Sequence, residues 1–288
     1  MVSIVGSKTL SILVFAAAVA VVLILMFVGV VSVFQERIAF QPQGPPYPSA
    51  GDAQRMEYGA ADGQPLFAYV VGDPANASGL LLVFHGNADM AARQVDWARE
   101  VFSRTGLTVM IAEYRGYAGL AGKPTYSGSQ LDADAAYAFA IGDLHVPADR
   151  IAFFGHSLGT AVATELATRH RPFALVLQSP FTSARDMARM LVGRRPGTLS
   201  WSLFSRIHFD TFERVKTLAV PVSVAHGGRD RLISSSMGLK VFEAAHTKGQ
   251  WLLVPEASHN DVSTQGGEAY WNWLTRALAS RTVTTSFQ

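Results

Sequence analysis

The apolar positions of this chain form one long run near its start and a series of short runs after it. Residues 10–34 carry no charged side chain, and about 20 apolar residues are enough to cross the hydrocarbon core of a bilayer. A cleaved signal peptide has a shorter apolar region and a small-x-small cleavage site, which Val33-Phe34-Gln35-Glu36-Arg37 does not offer. We therefore predict a single uncleaved transmembrane helix over residues 10–34.

The flanks of this run predict its orientation and the organisation of the rest. Lys8 precedes the run, whereas Arg37 follows it beside Glu36. Because lysine and arginine set membrane orientation, this small difference favours a cytoplasmic N-terminus and a catalytic domain on the non-cytoplasmic side. Prolines crowd residues 41–48 and predict an extended spacer. The predicted units are an N-terminal flank (1–9), the transmembrane anchor (10–34), a Pro-rich linker (35–52), one folded domain (53–280) and a flexible tail (281–288).

Short apolar runs alternate with segments of helical periodicity within the predicted folded domain. The predicted strands are Met56–Tyr58, Leu66–Val71, Leu80–Phe84, Thr108–Ala112, Ile151–Phe154, Ala174–Leu177, Val222–Ala225 and Trp251–Val254. The predicted helices are Met90–Ser103, Gln130–Ile141, Leu158–His170, Ser235–His246 and Glu268–Leu278. Compact apolar strands indicate burial on both faces, so this alternation predicts an α/β fold with a parallel sheet and helices on both faces.

Composition and charge exclude several classes of protein. The chain has 24 basic and 22 acidic side chains and a formal net charge of +2, which gives no electrostatic case for a nucleic-acid partner. It has no cysteine, so disulfides, thiolate nucleophiles and Cys-ligated zinc are excluded. Neither a metal-ligand cluster nor a G-x-G-x-x-G fingerprint occurs. We therefore predict no metal and no cofactor.

The motif Gly155-His156-Ser157-Leu158-Gly159 is the strongest candidate for chemistry. It matches the G-x-S-x-G pattern, in which a sharp strand-to-helix turn exposes a nucleophilic serine above a sheet. A predicted strand precedes the motif and a predicted helix follows it, as that turn requires. Cβ atoms on the flanking glycines would collide with the neighbouring strand and helix. The alternative is an ordinary turn whose serine caps the helix. We predict that Ser157 is the nucleophile.

A serine nucleophile needs a histidine base and an orienting carboxylate. In doubly wound hydrolases both follow the serine in the order Asp or Glu, then His, each in a loop after a later strand. Asp230 follows the strand Val222–Ala225, and His259 follows the strand Trp251–Val254. One helix and one strand separate them, as expected for adjacent loops at one sheet edge. We predict Asp230 and His259 as the partners of Ser157.

Other candidates fit this order less well. Glu256 and Asp261 border the His259 loop and are alternative carboxylates, but neither follows a strand-glycine turn in the required order. His85, His156 and His226 lie in loops beside the predicted site and are interpreted as structural. The remaining histidines lie at helix ends or in connectors: His145, His170, His208 and His246.

Two backbone N–H groups are predicted to stabilise the oxyanion that forms when an acyl carbonyl is attacked. One belongs to Leu158, directly after the nucleophile. The other belongs to Asn87, in the His85-Gly86-Asn87-Ala88 loop after the strand Leu80–Phe84. The alternative for this loop is a plain glycine turn after a strand.

Taken together, the motifs resemble the α/β-hydrolase superfamily, and in particular its small membrane-anchored branch of bud-emergence-type hydrolases and protein depalmitoylases. The matching segments, in order, are Leu82–Ala88, Tyr114–Tyr117, Gly155–Gly159, Gln178–Ser183 and the Asp230 and His259 loops. The resemblance implies an eight-stranded, mostly parallel sheet and a serine esterase or thioesterase without a cofactor. The stretch between Thr182 and Val220 leaves room for only a small cap. One departure is Ala118–Pro124, where the family usually reads Gly-x-Ser-x-Gly-x-Pro.

The predicted function is a membrane-anchored serine hydrolase that cleaves carboxylic esters or thioesters through an acyl-enzyme. A serine peptidase of the same fold is an alternative, because the same three side chains cleave amides. An inactive membrane-tethered binding protein is a second alternative, because a fold does not imply an activity.

Overall fold

The computed structural model describes residues 2–75, 78–192 and 205–279, which contain an eight-stranded sheet. The strands are β1 (Gln54–Gly59), β2 (Pro65–Val71), β3 (Leu80–Phe84), β4 (Thr108–Ala112), β5 (Ile151–His156), β6 (Leu175–Gln178), β7 (Pro221–Gly227) and β8 (Thr247–Val254). Their order is β1-β2-β4-β3-β5-β6-β7-β8. The β1–β2 and β2–β4 pairs are antiparallel and the other neighbouring pairs are parallel. The predicted fold class is confirmed.

Helices cover both faces of the sheet. The helices of the described residues are α1 (Val2–Ala39), which precedes the sheet, and α2 (Val95–Thr105), α3 (Tyr126–Gly142), α4 (Leu158–Arg169), α5 (Ala184–Val192), α6 (Thr211–Val215), α7 (Ser235–Ala244) and α8 (Val262–Ala279). The backbone of α8 is kinked at Gly267, whose φ is 47°. The helices α5 and α6 lie in the segment where a small cap is expected, and residues 193–204 of that segment lie outside the described residues.

Side-chain alternation along the central strands explains why the sheet is buried on both sides. Successive strand residues point to opposite faces. Leu80 and Leu82 of β3 join a core that includes residues of α3, α4, α6 and α7, whereas Leu81 and Val83 join a second core with α2 and α8. Both faces of β3 therefore require apolar side chains, which is why the strand reads as an unbroken apolar run.

Among the residues that the structure describes, the first helix is long and apolar enough to cross a membrane. Its segment Leu10–Phe27 passes that test by length and composition, and none of this segment is buried against the rest of the protein. The helix continues to Ala39, beyond the predicted span. The predicted flexible tail, residues 281–288, lies outside the described residues.

Candidate active site

The predicted nucleophile lies in a strained turn between β5 and α4. Ser157 has φ 52° and ψ −116°. Residues other than glycine rarely adopt this backbone conformation, which costs energy to maintain. The strand ends at His156 and the helix begins at Leu158, so Ser157 alone makes the turn. The Ser157 N–H donates to the Gln178 carbonyl oxygen at 3.0 Å, which ties the turn to β6.

The two glycines of the motif allow the close packing that this turn requires. A Cβ atom at Gly155 would overlap the carbonyl oxygen of Gly159, and a Cβ atom at Gly159 would overlap the carbonyl oxygen of Phe84. Only glycine lets α4 approach both its own strand and the neighbouring strand β3 so closely. The steric reason given for the G-x-S-x-G pattern is therefore present in the packing.

The structure brings the three predicted catalytic side chains together at the carboxyl edge of the sheet. The Ser157 hydroxyl lies 2.8 Å from His259 Nε2. The other ring nitrogen, His259 Nδ1, lies 2.7 Å from Asp230 Oδ2. Ser157 and His259 are each 8% exposed. In this arrangement Nδ1–H donates to the carboxylate, which leaves Nε2 free to accept the serine proton.

The Asp230 carboxylate is held in its ionised form. Its side chain is fully buried, and Oδ1 accepts hydrogen bonds from the N–H groups of Leu232 (2.9 Å) and Ile233 (2.8 Å). Burial acts to raise the Asp230 pKa, but hydrogen bonds from His226, His259 and Ile233 outweigh it and hold the pKa well below its usual range. A permanent negative charge therefore faces the His259 ring.

The neighbouring histidines support these loops, as interpreted from the sequence. His226 Nε2 lies 2.9 Å from the Ile233 carbonyl oxygen and 3.3 Å from Asp230 Oδ2. His226, at the end of β7, is thereby connected to Asp230 and to Ile233 on the far side of the same loop. His156 Nε2 lies 3.3 Å from the His259 carbonyl oxygen, so it connects the nucleophile turn to the His259 loop.

The alternative carboxylates have other partners. Asp261 Oδ1 accepts a hydrogen bond from the Ser258 N–H at 2.6 Å, which shapes the His259 loop. Glu256 pairs with Arg229 on the surface, where both side chains are more than half exposed. The carboxylate that accepts the hydrogen bond from His259 Nδ1–H is Asp230.

The titration of His156 predicts a loss of stability in mild acid. Burial and the nearby His259 lower the His156 pKa from its ordinary 6.5 to about 4. Between these values the unfolded chain binds a proton that the folded protein does not, so the free energy of unfolding falls as pH decreases. We expect the melting temperature to drop between pH 7 and pH 5, and to drop less in a His156→Gln variant. Thermal denaturation of both proteins measures this, and equal drops would contradict it.

The predicted oxyanion loop lies directly against the nucleophile turn. A Cβ atom at Gly86 would lie 3.1 Å from His156 Nδ1 and 3.3 Å from the Ser157 Cβ. Because Gly86 has no side chain, the backbone of this loop can lie beside Ser157. Leu158 follows Ser157 along the chain, whereas Asn87 follows Gly86 in the loop that packs against the nucleophile turn.

A buried ion pair beneath this loop was not found by sequence reasoning. His85 Nε2 lies 2.7 Å from Glu113 Oε1, and both side chains are fully buried. Burial lowers the His85 pKa, but Glu113 raises it by more, and the net shift is upward. Glu113 also accepts hydrogen bonds from the N–H groups of Ala91 and Tyr114. Its position directly after β4 and before the Tyr114-Arg115-Gly116-Tyr117 motif is the signal that could have identified it.

The side chain of Asn87 is a second feature that sequence reasoning missed. Its Oδ1 accepts hydrogen bonds from the Gln41 N–H (2.7 Å) and the Tyr117 hydroxyl (2.8 Å). Its Nδ2 donates to the Ala39 carbonyl oxygen at 2.9 Å. The loop beside Ser157 is therefore hydrogen-bonded to the end of α1. Within the described ranges, no group of three or more acidic or histidine side chains is arranged to hold a metal ion.

Comparisons with known proteins agree with this fold. A family model described as serine aminopeptidase, S33, matches residues 75–211, which include Ser157. An uncharacterized protein of Mycobacterium tuberculosis is 31% identical over 257 residues, covering 86% of this chain and 89% of that protein. Human alpha/beta hydrolase domain-containing protein 17B is 30% identical over 191 residues, covering 66% of this chain and 64% of that protein.

Solved structures share the fold at lower sequence identity. The esterase Pf2001 of Pyrococcus furiosus superposes with a TM-score of 0.62 at 20% identity, covering 83% of this chain and 99% of that one. At this identity the likeness extends to the arrangement of strands and helices.

Proposed function

Because the chain belongs to the α/β-hydrolase superfamily, we propose that it is a membrane-anchored serine hydrolase that cleaves carboxylic esters or thioesters. The observation that carries this proposal is the unbroken hydrogen-bonded line from Asp230 through His259 to the Ser157 hydroxyl, at 2.7 Å and 2.8 Å. These distances are within the range for a base that must take a proton from a serine.

In the proposed reaction Ser157 Oγ attacks the acyl carbonyl carbon while His259 Nε2 takes its proton. The N–H groups of Leu158 and Asn87 stabilise the negative charge on the carbonyl oxygen. The tetrahedral intermediate then expels an alcohol or thiol, which receives the proton from His259, and the acyl group stays on Ser157. Water attacks this ester with His259 again as the base. The bond between the acyl carbon and Ser157 Oγ then breaks, His259 returns the proton to Oγ, and the carboxylic acid leaves. The ionised Asp230 stabilises the imidazolium in both steps.

The exposed surface of α1 supports the membrane anchor. Large apolar side chains of the predicted span, among them Phe15 at 71% and Phe27 at 64%, are exposed, and such a surface is stable in lipid rather than in water. A cytoplasmic N-terminus, with the hydrolase domain on the opposite side, is the orientation that Lys8 favours. The predicted unit boundaries are proposed with it: anchor at 10–34, linker at 35–52 and hydrolase domain at 53–280.

The position of the site along this anchor favours a membrane-resident substrate. Ala39 lies about 7.5 Å along the helix beyond Phe34, at about 1.5 Å per residue. The headgroup layer on one side of a bilayer is about 5–8 Å thick. Ala39 contacts Asn87, so the oxyanion loop would lie at headgroup depth, next to where acyl chains enter the membrane.

A peptidase is the second candidate, and the match to the serine aminopeptidase model supports it. The chemistry of attack is the same for an amide, but the leaving amine must be protonated as it departs. The inactive binding protein is disfavoured because Ser157, His259 and Asp230 are all present and hydrogen-bonded to one another.

Covalent labelling tests the proposal. Full-length protein in detergent micelles is treated with a fluorophosphonate, and the labelled peptide is identified by mass spectrometry. We expect one adduct per chain, on Ser157. Failure to label in a folded sample, or labelling at another serine, would overturn the proposed function.

A substrate series then separates the two enzyme candidates. Esters and thioesters of increasing acyl length are compared with aminoacyl amides at matched concentration in mixed micelles. We expect ester or thioester turnover that increases with acyl length, whereas faster turnover of the aminoacyl amides would assign the protein as a peptidase.

A further inference from the structure

The last turn of α1 and the two residues after it are packed into the hydrolase domain and do not form a loose tether. We call residues 35–41 the exit segment. Gln35 is 1% exposed, and its Oε1 accepts a hydrogen bond from the Arg206 N–H at 2.8 Å. Phe40 is 3% exposed and its ring centre lies 6.4 Å from that of Phe209. A flexible linker would leave such side chains in solvent. The exit segment is therefore a fixed part of the domain surface.

The exit segment reaches the active site through one side chain. Asn87 receives the Gln41 N–H on its Oδ1 and donates from Nδ2 to the Ala39 carbonyl oxygen. The Tyr117 hydroxyl and the Ala88 N–H also donate to Oδ1. The oxygen and the nitrogen of the Asn87 amide therefore both form hydrogen bonds, and the nitrogen donates to the exit segment.

The oxyanion loop is consequently held from two sides. Its inner end is held by His85, which contacts the buried Glu113 carboxylate and lies under the Tyr114 hydroxyl, a donor to the His85 carbonyl oxygen. Its outer end is held by the Asn87 side chain. Removing the exit segment would leave the inner attachment intact and leave the Asn87 side chain with the Tyr117 hydroxyl as its contact outside the loop.

We propose that the exit segment positions the oxyanion loop, with Asn87 as the positioning residue through its side chain. This inference rests on the proposed function, in which the Asn87 backbone N–H is an oxyanion donor. A donor acts only when it lies about 2.7–3.1 Å from the developing oxyanion, and the side-chain contacts restrict rotation of the Asn87 backbone. The anchor is then part of the catalytic apparatus as well as a tether.

The test uses full-length variants in micelles, with a short-chain p-nitrophenyl ester as substrate. Fluorophosphonate titration counts the functional sites, so that kcat refers to folded protein only. Asn87→Ala keeps the backbone N–H but removes the side-chain contacts, and we expect kcat per titrated site to fall about 10–100-fold with KM nearly unchanged. The pH profile of kcat should keep its midpoint, because His259 and Asp230 are untouched. Asn272→Ala, the same substitution at an exposed position of α8, is the matched control.

A double-mutant cycle distinguishes positioning from a general effect on structure. Phe40→Ala removes the packing of the exit segment against Phe209 and should lower kcat in the wild-type background. In the Asn87→Ala background the same change should lower kcat less than about twofold, because coupled residues are not additive. Asn87→Ala with kcat within about twofold of wild type, or equal Phe40→Ala losses in both backgrounds, would overturn the inference. Wild-type protein that does not label would instead overturn the proposed function.

Discussion

Replacing Ser157 with alanine is expected to lower kcat for ester hydrolysis by about 10⁶-fold, the scale seen when a serine hydrolase loses its nucleophile. Without Oγ no acyl-enzyme forms, and only the oxyanion donors and substrate binding remain to accelerate attack by water. Fluorophosphonate labelling should disappear in the same variant. The measurement is steady-state turnover of a p-nitrophenyl ester, together with the labelled fraction of protein.

An exposed serine provides the control for this variant. Ser127 lies on the outer surface of α3, and Ser127→Ala should label and turn over substrate as the wild type does. Stability should change little in Ser157→Ala, because the hydroxyl contributes one hydrogen bond. Persistent labelling of Ser157→Ala would show that a different residue is the nucleophile.

The second large effect is expected at Asp230, where an Asp230→Asn variant should lose about 10⁴-fold in kcat. The asparagine amide has nearly the same shape, so the loop that holds it should stay folded. Its NH₂ group, however, cannot accept the Nδ1–H of His259. The ring then prefers the tautomer with the proton on Nε2, which cannot take the proton of Ser157. Turnover and its pH profile measure this loss.

Glu256 provides the matched control, because it also borders the His259 loop and, unlike Asp261, does not accept a backbone hydrogen bond within that loop. It pairs with Arg229 on the surface, where an exposed ion pair contributes little. We expect Glu256→Gln to retain kcat within about threefold, a change of less than 1 kcal/mol. A larger loss in Glu256→Gln than in Asp230→Asn would assign the orienting role to Glu256.

The core strands were predictable because their physical requirements are local. The bounds predicted for β3 and β4 coincide with the observed Leu80–Phe84 and Thr108–Ala112. Both strands are buried on each face, so every position except Thr108 is apolar, and this pattern can be read from the sequence. The helices α5 and α6 were not predicted individually. They are short, and α6 spans only Thr211–Val215, which is too few turns for periodicity to identify.

The candidate site was predictable where chemistry demands a residue type at a fixed place. The strained turn at Ser157 needs glycine on both sides, and chain order then indicates Asp230 and His259. The local signal for Glu113 is weaker, because it consists only of a position between β4 and the Tyr114–Tyr117 motif. Glu113 accepts hydrogen bonds from two backbone N–H groups and lies within hydrogen-bond distance of a histidine that is distant in sequence. Its role therefore exists only after β3 and β4 have paired.

The amino-acid order of this chain was enough to establish the class of fold, the apolar first helix and the candidates for nucleophile, base and carboxylate, because turns, periodicity and burial are written in neighbouring residues. Three-dimensional packing decided the rest. The end of α1 meets the loop of Asn87, and His85 meets Glu113, through contacts between segments far apart in the chain. Such contacts depend on the shape that both partners acquire on folding, and no local pattern encodes them.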